Sequence, residues 1–244
     1  MIRAGAAMRR AFLLRHLGPL LPVLALLFAL EWSSLDFTVS SWFFDPTTGT
    51  FPLRYSAALE IFGHQWPRHL VVALACCVIA LYLMSFMLPQ IEPHRRILLF
   101  LSLGLTLAPL AVVFLKAESL RHCPWSLREY GGFAEHLAPF GILPPGASPG
   151  HCFPGGHASG GFCLFAFYFA GLALRNGRLQ RAGLWGGLTC GLAFGLVRVA
   201  QGAHFLSHNL WAGVVCWFVL VLLYVVLVDP SRLAVSGARD AAAS

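Results

Sequence analysis

The chain has 244 residues, of which 58% are hydrophobic and only 11% charged, with a mean hydropathy of +0.72. That excludes an ordinary soluble domain, in which about 25% of residues are charged. The formal net charge of +7 follows the ends of the apolar stretches, which orients a membrane protein and argues against a nucleic-acid partner.

A crossing of a bilayer core about 30 Å thick needs about 20 mostly apolar residues. Six stretches qualify, at roughly 16–35, 69–88, 97–115, 158–174, 183–203 and 209–228. The expected fold is therefore all-α: a polytopic helical bundle in one membrane-embedded domain spanning 1–244, with 229–244 read as a mobile tail. If the crossings alternate, eleven of the seventeen Lys and Arg residues fall on the side of the termini. The positive-inside rule then puts both termini in the cytoplasm. The lipid bilayer is the first expected partner, and a bacterial inner membrane the expected location.

The first stretch follows a basic segment, as a signal peptide would, but Leu27-Phe-Ala-Leu-Glu-Trp32 lacks a small-x-small cleavage site, so it reads as a retained crossing. Pro19, Pro22 and Pro109 read as kinks. From Asp36 to Arg68 the chain is polar and aromatic, consistent with either a short helix on the membrane face or a surface loop. Gly183, Gly187, Gly191 and Gly195 in the fifth stretch recur every four residues, the spacing of a close helix-packing groove.

Cys76, Cys77, Cys163, Cys190 and Cys216 lie within crossings, where cysteine acts as a small hydrophobe. Cys123 and Cys152 lie in the long outer loop, and a disulfide between them is expected on the oxidising side of the membrane. Closing a loop of roughly 30 residues stabilises by about 3.5 kcal/mol in the chain-entropy model. His122, His136 and His151 read as surface residues of the same loop.

Alternation brings three polar segments to one face. The third stretch ends in Lys116-Ala-Glu-Ser-Leu-Arg121. The fourth begins with Cys152-Phe-Pro-Gly-Gly-His157, in which proline ends what precedes it and the glycines free the main chain for close approach. The turn between the fifth and sixth carries Arg198, His204 and His208. Cations gathered near lipid call for an anionic partner, and cations around a glycine-rich turn suit a phosphoryl group.

The three segments resemble the motifs of the phosphatidic acid phosphatase type 2 / vanadium haloperoxidase superfamily, and the resemblance covers roughly 95–228. That family has a lysine, six residues, then arginine-proline; next proline-serine-glycine-histidine; then serine-arginine, five residues, histidine, three residues and aspartate. Here Lys116 precedes Cys123-Pro124, Pro154 to His157 match except at Gly155, and Val197-Arg198 lead to His204 and His208. Cys123 replaces an arginine, for which Arg121 or Arg128 is a candidate substitute. Gly155 and Val197 replace serines. His208 replaces the aspartate that orients the nucleophile, and Glu118 is another candidate for that role.

The resemblance implies a metal-independent phosphatase, without cofactor, facing the periplasm or cell exterior, with a phosphorylated membrane lipid as substrate. His204 would attack phosphorus and form a phosphohistidine. His157 would protonate the leaving oxygen and then activate water, and His208 would support His204. Lys116, Arg198, Arg121 and the amides of Gly155 and Gly156 would bind the phosphoryl oxygens. The departures leave open a lipid-phosphate phosphotransferase, or a binder or transporter without turnover. A metal-dependent hydrolase using His204 and His208, with His157 or His151 as a third ligand, is a further alternative, although the intervening glutamate of a His-Glu-x-x-His site is missing.

Overall fold

All six apolar stretches are helical in the computed structural model, which describes residues 2–229. Among these residues there is no strand. Helices suit so apolar a chain because each satisfies its own backbone groups without water. The calls on the tail beyond residue 229 lie outside the described residues.

Helices α1 (Ile2–Leu17) and α2 (Leu20–Glu31) form the first crossing and meet at Gly18-Pro19. A short α3 (Leu35–Ser41) lies beyond them. A π-helical segment, Leu59–Gln65, runs directly into α4 (Trp66–Met84), and α5 (Arg95–Ala117) accommodates Pro109 in its interior. Helices α6 (Gly156–Phe162) and α7 (Phe165–Ala173) form the fourth crossing, α8 (Gly177–Ala200) the fifth and α9 (Leu206–Leu223) the sixth.

Two boundaries differ from expectation. The first apolar segment starts at Gly5 and ends at Glu31, and the second starts at Leu59. Glu60, His64 and Arg68 dilute the apolar pattern before residue 69, so that segment reads as loop although it continues the helix. The glycine groove of α8 is occupied as its spacing suggests. Gly187 lies against the ring of Phe165 and Gly191 against that of Phe162, where any Cβ would collide.

Away from the motifs, Phe12 and Tyr224 stack at 4.8 Å, and the Arg9 guanidinium reaches both carboxylate oxygens of Asp229, at 3.1 and 2.7 Å. These contacts tie α1 to the segment Tyr224–Asp229 that follows α9. At the motif end, the outer loop folds onto the bundle around Phe51, Leu127, Tyr130, Ala134 and Phe205. The expected Cys123–Cys152 disulfide is formed, with 5.2 Å between Cα atoms. Five buried apolar residues and one covalent staple give this loop a fixed floor above the helix ends.

Candidate active site

His204 sits in the turn between α8 and α9. The chain reverses at Gly202, whose φ of +69° is left-handed and where a Cβ would run into the Phe51 ring. The outer loop locks this turn, because the Trp125 N–H donates to the Gly202 carbonyl at 2.9 Å. Buried Asp36 secures the other side: its Oδ1 accepts from the Ser207 N–H at 2.9 Å, capping the free donors at the start of α9. Burial pushes the Asp36 carboxyl up, and the bonds from Ser207 pull it back. His204 is thereby held with only 4% of its surface exposed.

The opposing wall is the Phe153-to-His157 segment. The Gly155 N–H donates to the His208 carbonyl at 2.7 Å, while Gly156 opens α6, with the Lys116 side chain passing 4.0 Å from where its Cβ would stand. His157 stacks on Phe194 at 5.1 Å, and its Nε2 lies 3.0 Å from the Gly63 carbonyl. A carbonyl only accepts, so this nitrogen carries the proton. Around Gly63, His64 packs edge to face on His157 at 4.5 Å and donates from Nδ1 to Glu60 Oε1 at 2.8 Å. The other Glu60 oxygen lies 3.5 Å from Arg198 Nη1, which also donates to Gln201 Oε1 at 2.7 Å.

Burial, reinforced by the facing charges of Lys116 and Arg198, pushes the His204 imidazole down to about 3. The ring is therefore neutral near pH 7, with a lone pair available, while two cations converge on the space before it. That arrangement attracts an oxyanion and leaves a nitrogen free to attack it.

Cys152 Sγ lies 3.5 Å from His204 Nδ1, and the His208 ring lies 5.9 Å from that of His204. The donor atoms of Cys152, His204 and His208 come within 4.8 Å of one another, a grouping compatible with a metal. Cys152 is disulfide-bonded and supplies no thiolate. Among the described residues neither His157 nor His151 joins that group, and the two imidazoles left fall short of the three protein ligands of a catalytic zinc site.

The structure thus brings His204, His157, Lys116, Arg198 and Gly156 together and corrects other expectations. Gly155 offers no amide to a phosphate, because its N–H is already bonded and its hydrogen-only side chain makes room for Asn209. Arg121 turns to Glu31 at 3.1 Å, in a pair whose side chains are 12% and 2% exposed, and covers the Phe153 ring at 4.8 Å. Arg128 pairs with Glu135 on the surface, and Glu118 is exposed at the end of α5. His208 is wholly buried against Phe153 and Phe205. His136, expected on the surface, is half-buried against Phe37 and Phe205, and that burial pushes its imidazole down.

Glu60, His64, Gly63, Gln201 and Asp36 escaped the sequence reading. The legible signal was the four-residue spacing of Glu60 and His64, which on a helix places them side by side. An apolar cavity of about 460 Å³, lined among others by Phe28, Leu115, Arg121, Phe140 and Trp211, adjoins Pro154, but none of the imidazoles lines it.

No solved protein structure matches the chain. The lipid A 4'-phosphatase of Francisella tularensis subsp. novicida (strain U112) is 27% identical over 215 residues, covering 85% of this chain and 95% of that protein. Residues 97–232, more than half of the chain and all three motif segments, match the PAP2 superfamily. The chain belongs to the PAP2 superfamily.

Proposed function

We propose that this protein hydrolyses a phosphate monoester on the headgroup of a membrane glycolipid of the lipid A class. The observation that carries this reading is the meeting of a neutral, buried His204 with Lys116 and Arg198 at one end of a bundle of apolar helices. Family membership and the similarity to a lipid A 4'-phosphatase support it. A lipid headgroup would arrive at the depth where these helix ends lie.

In this reading His204 attacks phosphorus through Nε2 and displaces the lipid alkoxide, giving a phosphohistidine that water then opens. Lys116, Arg198 and the Gly156 N–H meet the equatorial oxygens, whose charge grows in the transition state. An imidazole across the site gives the leaving oxygen its proton, a role the motif assigns to His157. The phosphoryl charge is thus answered by side chains and an amide, which is why we propose metal-independent chemistry. The charge asymmetry of the chain ends favours cytoplasmic termini and a site on the periplasmic face of a bacterial inner membrane.

Purified protein assayed with lipid A and with phosphatidate, in the presence of a chelator, tests the proposal. Phosphate release from lipid A that is absent in His204→Ala supports it. Release abolished by the chelator, or unchanged in His204→Ala, refutes the phosphohistidine route.

A further inference from the structure

We infer that Cys152, locked by its disulfide to Cys123, orients the nucleophilic His204 and so takes over the task that the motif gives to the aspartate replaced here by His208. This inference rests on the phosphatase reading and adds a positioning pair to it.

The candidates at the motif position and beside it do not meet the ring. The centre of the His208 ring is 5.9 Å from that of His204, and among the described residues neither of its buried nitrogens has a hydrogen-bond partner. Glu118 is exposed at the end of α5. Cys152 does meet His204. Its Sγ lies 3.5 Å from Nδ1. Burial and the facing cations push the imidazole down, and the Cys152 main chain is the contact that pulls it back. A bonded sulfur and a carbonyl can each only accept a hydrogen bond, so both call for the proton on Nδ1. The lone pair is then left on Nε2, the atom that must attack.

The bridge grips the turn that carries His204 from two sides. Close to Cys123 in the chain, the Trp125 N–H donates to the Gly202 carbonyl at 2.9 Å. From the other side, Cys152 Sγ touches the Ala203 carbonyl oxygen at 3.1 Å. Cys152 is itself wholly buried. Its N–H donates to the Arg121 carbonyl and that of His151 to the Ser119 carbonyl, each at 3.0 Å, which ties the segment to the end of α5. The sulfur beside His204 is therefore fixed by main-chain bonds on its own side and by a covalent bond on the other.

Two departures from the motif then belong together. Cys123 stands where the motif has arginine, and His208 where it has aspartate. The cysteine supplies one end of the link that holds His204 when the carboxylate is absent. The substitute differs in one respect. A carboxylate would fix the ring and also stabilise the positive charge it gains on attacking phosphorus, whereas a neutral sulfur only fixes it. Both leave Nε2 free, so the roles proposed for His204, His157, Lys116 and Arg198 are unchanged.

The test returns the carboxylate and takes away the bridge. Hydrolysis of lipid A is measured, well below the melting temperature of each protein, in wild type, in Cys123→Ser/Cys152→Ser, and in that double variant carrying His208→Asp as well. The double variant is expected to lose about 10- to 100-fold in kcat with KM within about 3-fold, the cost of a misaimed reacting group. Adding His208→Asp is expected to return at least ~10-fold of kcat without returning the lost melting temperature, which a purely structural staple would not allow. If a serine variant does not fold, wild type treated with a dithiol supplies the answer: the dithiol is oxidised to its cyclic disulfide as Cys123 and Cys152 become thiols, kcat falls by the same factor, and isotope-labelled His204 read by nitrogen NMR changes from the Nδ1–H tautomer to a mixture. An unchanged kcat in the double variant or in reduced wild type overturns the inference and leaves the phosphatase reading standing, as does a loss that His208→Asp leaves in place in a folded protein. A wild type inert on lipid A overturns that reading itself.

Discussion

The fourth and second crossings reach the same pocket from opposite surroundings. In the most apolar window of Gly156–Ala173, 61% of residues are buried within the protein; in that of Leu59–Met84, only 6% are. The inner crossing carries the glycine-histidine turn, is seated in the glycine groove of α8, and cannot shift without disturbing two neighbours. The outer one packs along α5 through Val71, Leu74, Ala75 and Val78, and at its start Gly63 holds His157 and Glu60 reaches Arg198. A well-packed centre thus carries His157, while a peripheral helix end contacts the site through Gly63 and Glu60.

The largest expected effect tests the inner half. His204→Ala should lower phosphate release by at least ~10³-fold with the fold intact, because the proposed covalent route is lost with the ring. The same residue sets a pH signature. Its folded value, about 3, lies below the unfolded value of about 6.5, so the unfolded chain binds more protons between those limits. Its contribution to stability is complete above pH 6.5 and is lost as the pH falls toward 3. The melting temperature of wild type should decline on acidification through that window, and more shallowly in His204→Gln.

Next in size is the staple over the centre. Replacing Cys123 and Cys152 together by serine removes a link across 29 residues, which the loop-entropy model values at about 3.5 kcal/mol. Thermal unfolding of the double variant should begin at a clearly lower temperature. Activity should fall as well, because the bonded Cys152 sulfur lies against His204. A full-rate variant with unchanged melting would detach the outer loop from the site.

The two halves were unequally legible in sequence. Lys116, His157, Arg198 and His204 could be read because each lies at the boundary of an apolar run, where helix alternation alone assigns it to one end. The packing role of the α8 glycines was visible in their spacing. Glu60, His64 and Asp36 were hidden by the same logic, since polar residues before an apolar run look like loop until tertiary contacts bury them. Arg121 misled for a related reason: spacing placed it near the motif, and only the fold reveals Glu31 as its partner. Gly155 resembled an anion-binding amide until the His208 carbonyl claimed its N–H.

A smaller effect is expected from the outer helix end. Gly63→Val adds side-chain atoms where even a Cβ would stand 2.9 Å from Val197 Cγ1, so the π-helical segment must back away from α8. The carbonyl that fixes His157 moves with it, and turnover should fall about 10-fold, a misplacement cost below that of losing a reacting group. Val197→Ala in the same chain should restore part of the rate by reopening the space. Equal activity in Gly63→Val and wild type would show that the outer helix end is dispensable, collapsing the division drawn above.

The smallest effects belong to Arg128 and Glu118, which sequence alone allowed as replacements for the missing motif arginine and aspartate. Arg128 makes its ion pair with Glu135 at 3.1 Å, with side chains 67% and 60% exposed, and exposed pairs of this kind contribute about 0–1 kcal/mol. Glu118 lies just beyond Lys116, but at the end of α5 its side chain is exposed to the surroundings. Arg128→Ala and Glu118→Gln should therefore each keep turnover within about 2-fold of wild type, as surface changes away from a site do. A ten-fold loss in Glu118→Gln would make it the missing orienting carboxylate. The site would then have to close around substrate by a movement of α5 that brings this carboxylate to His204.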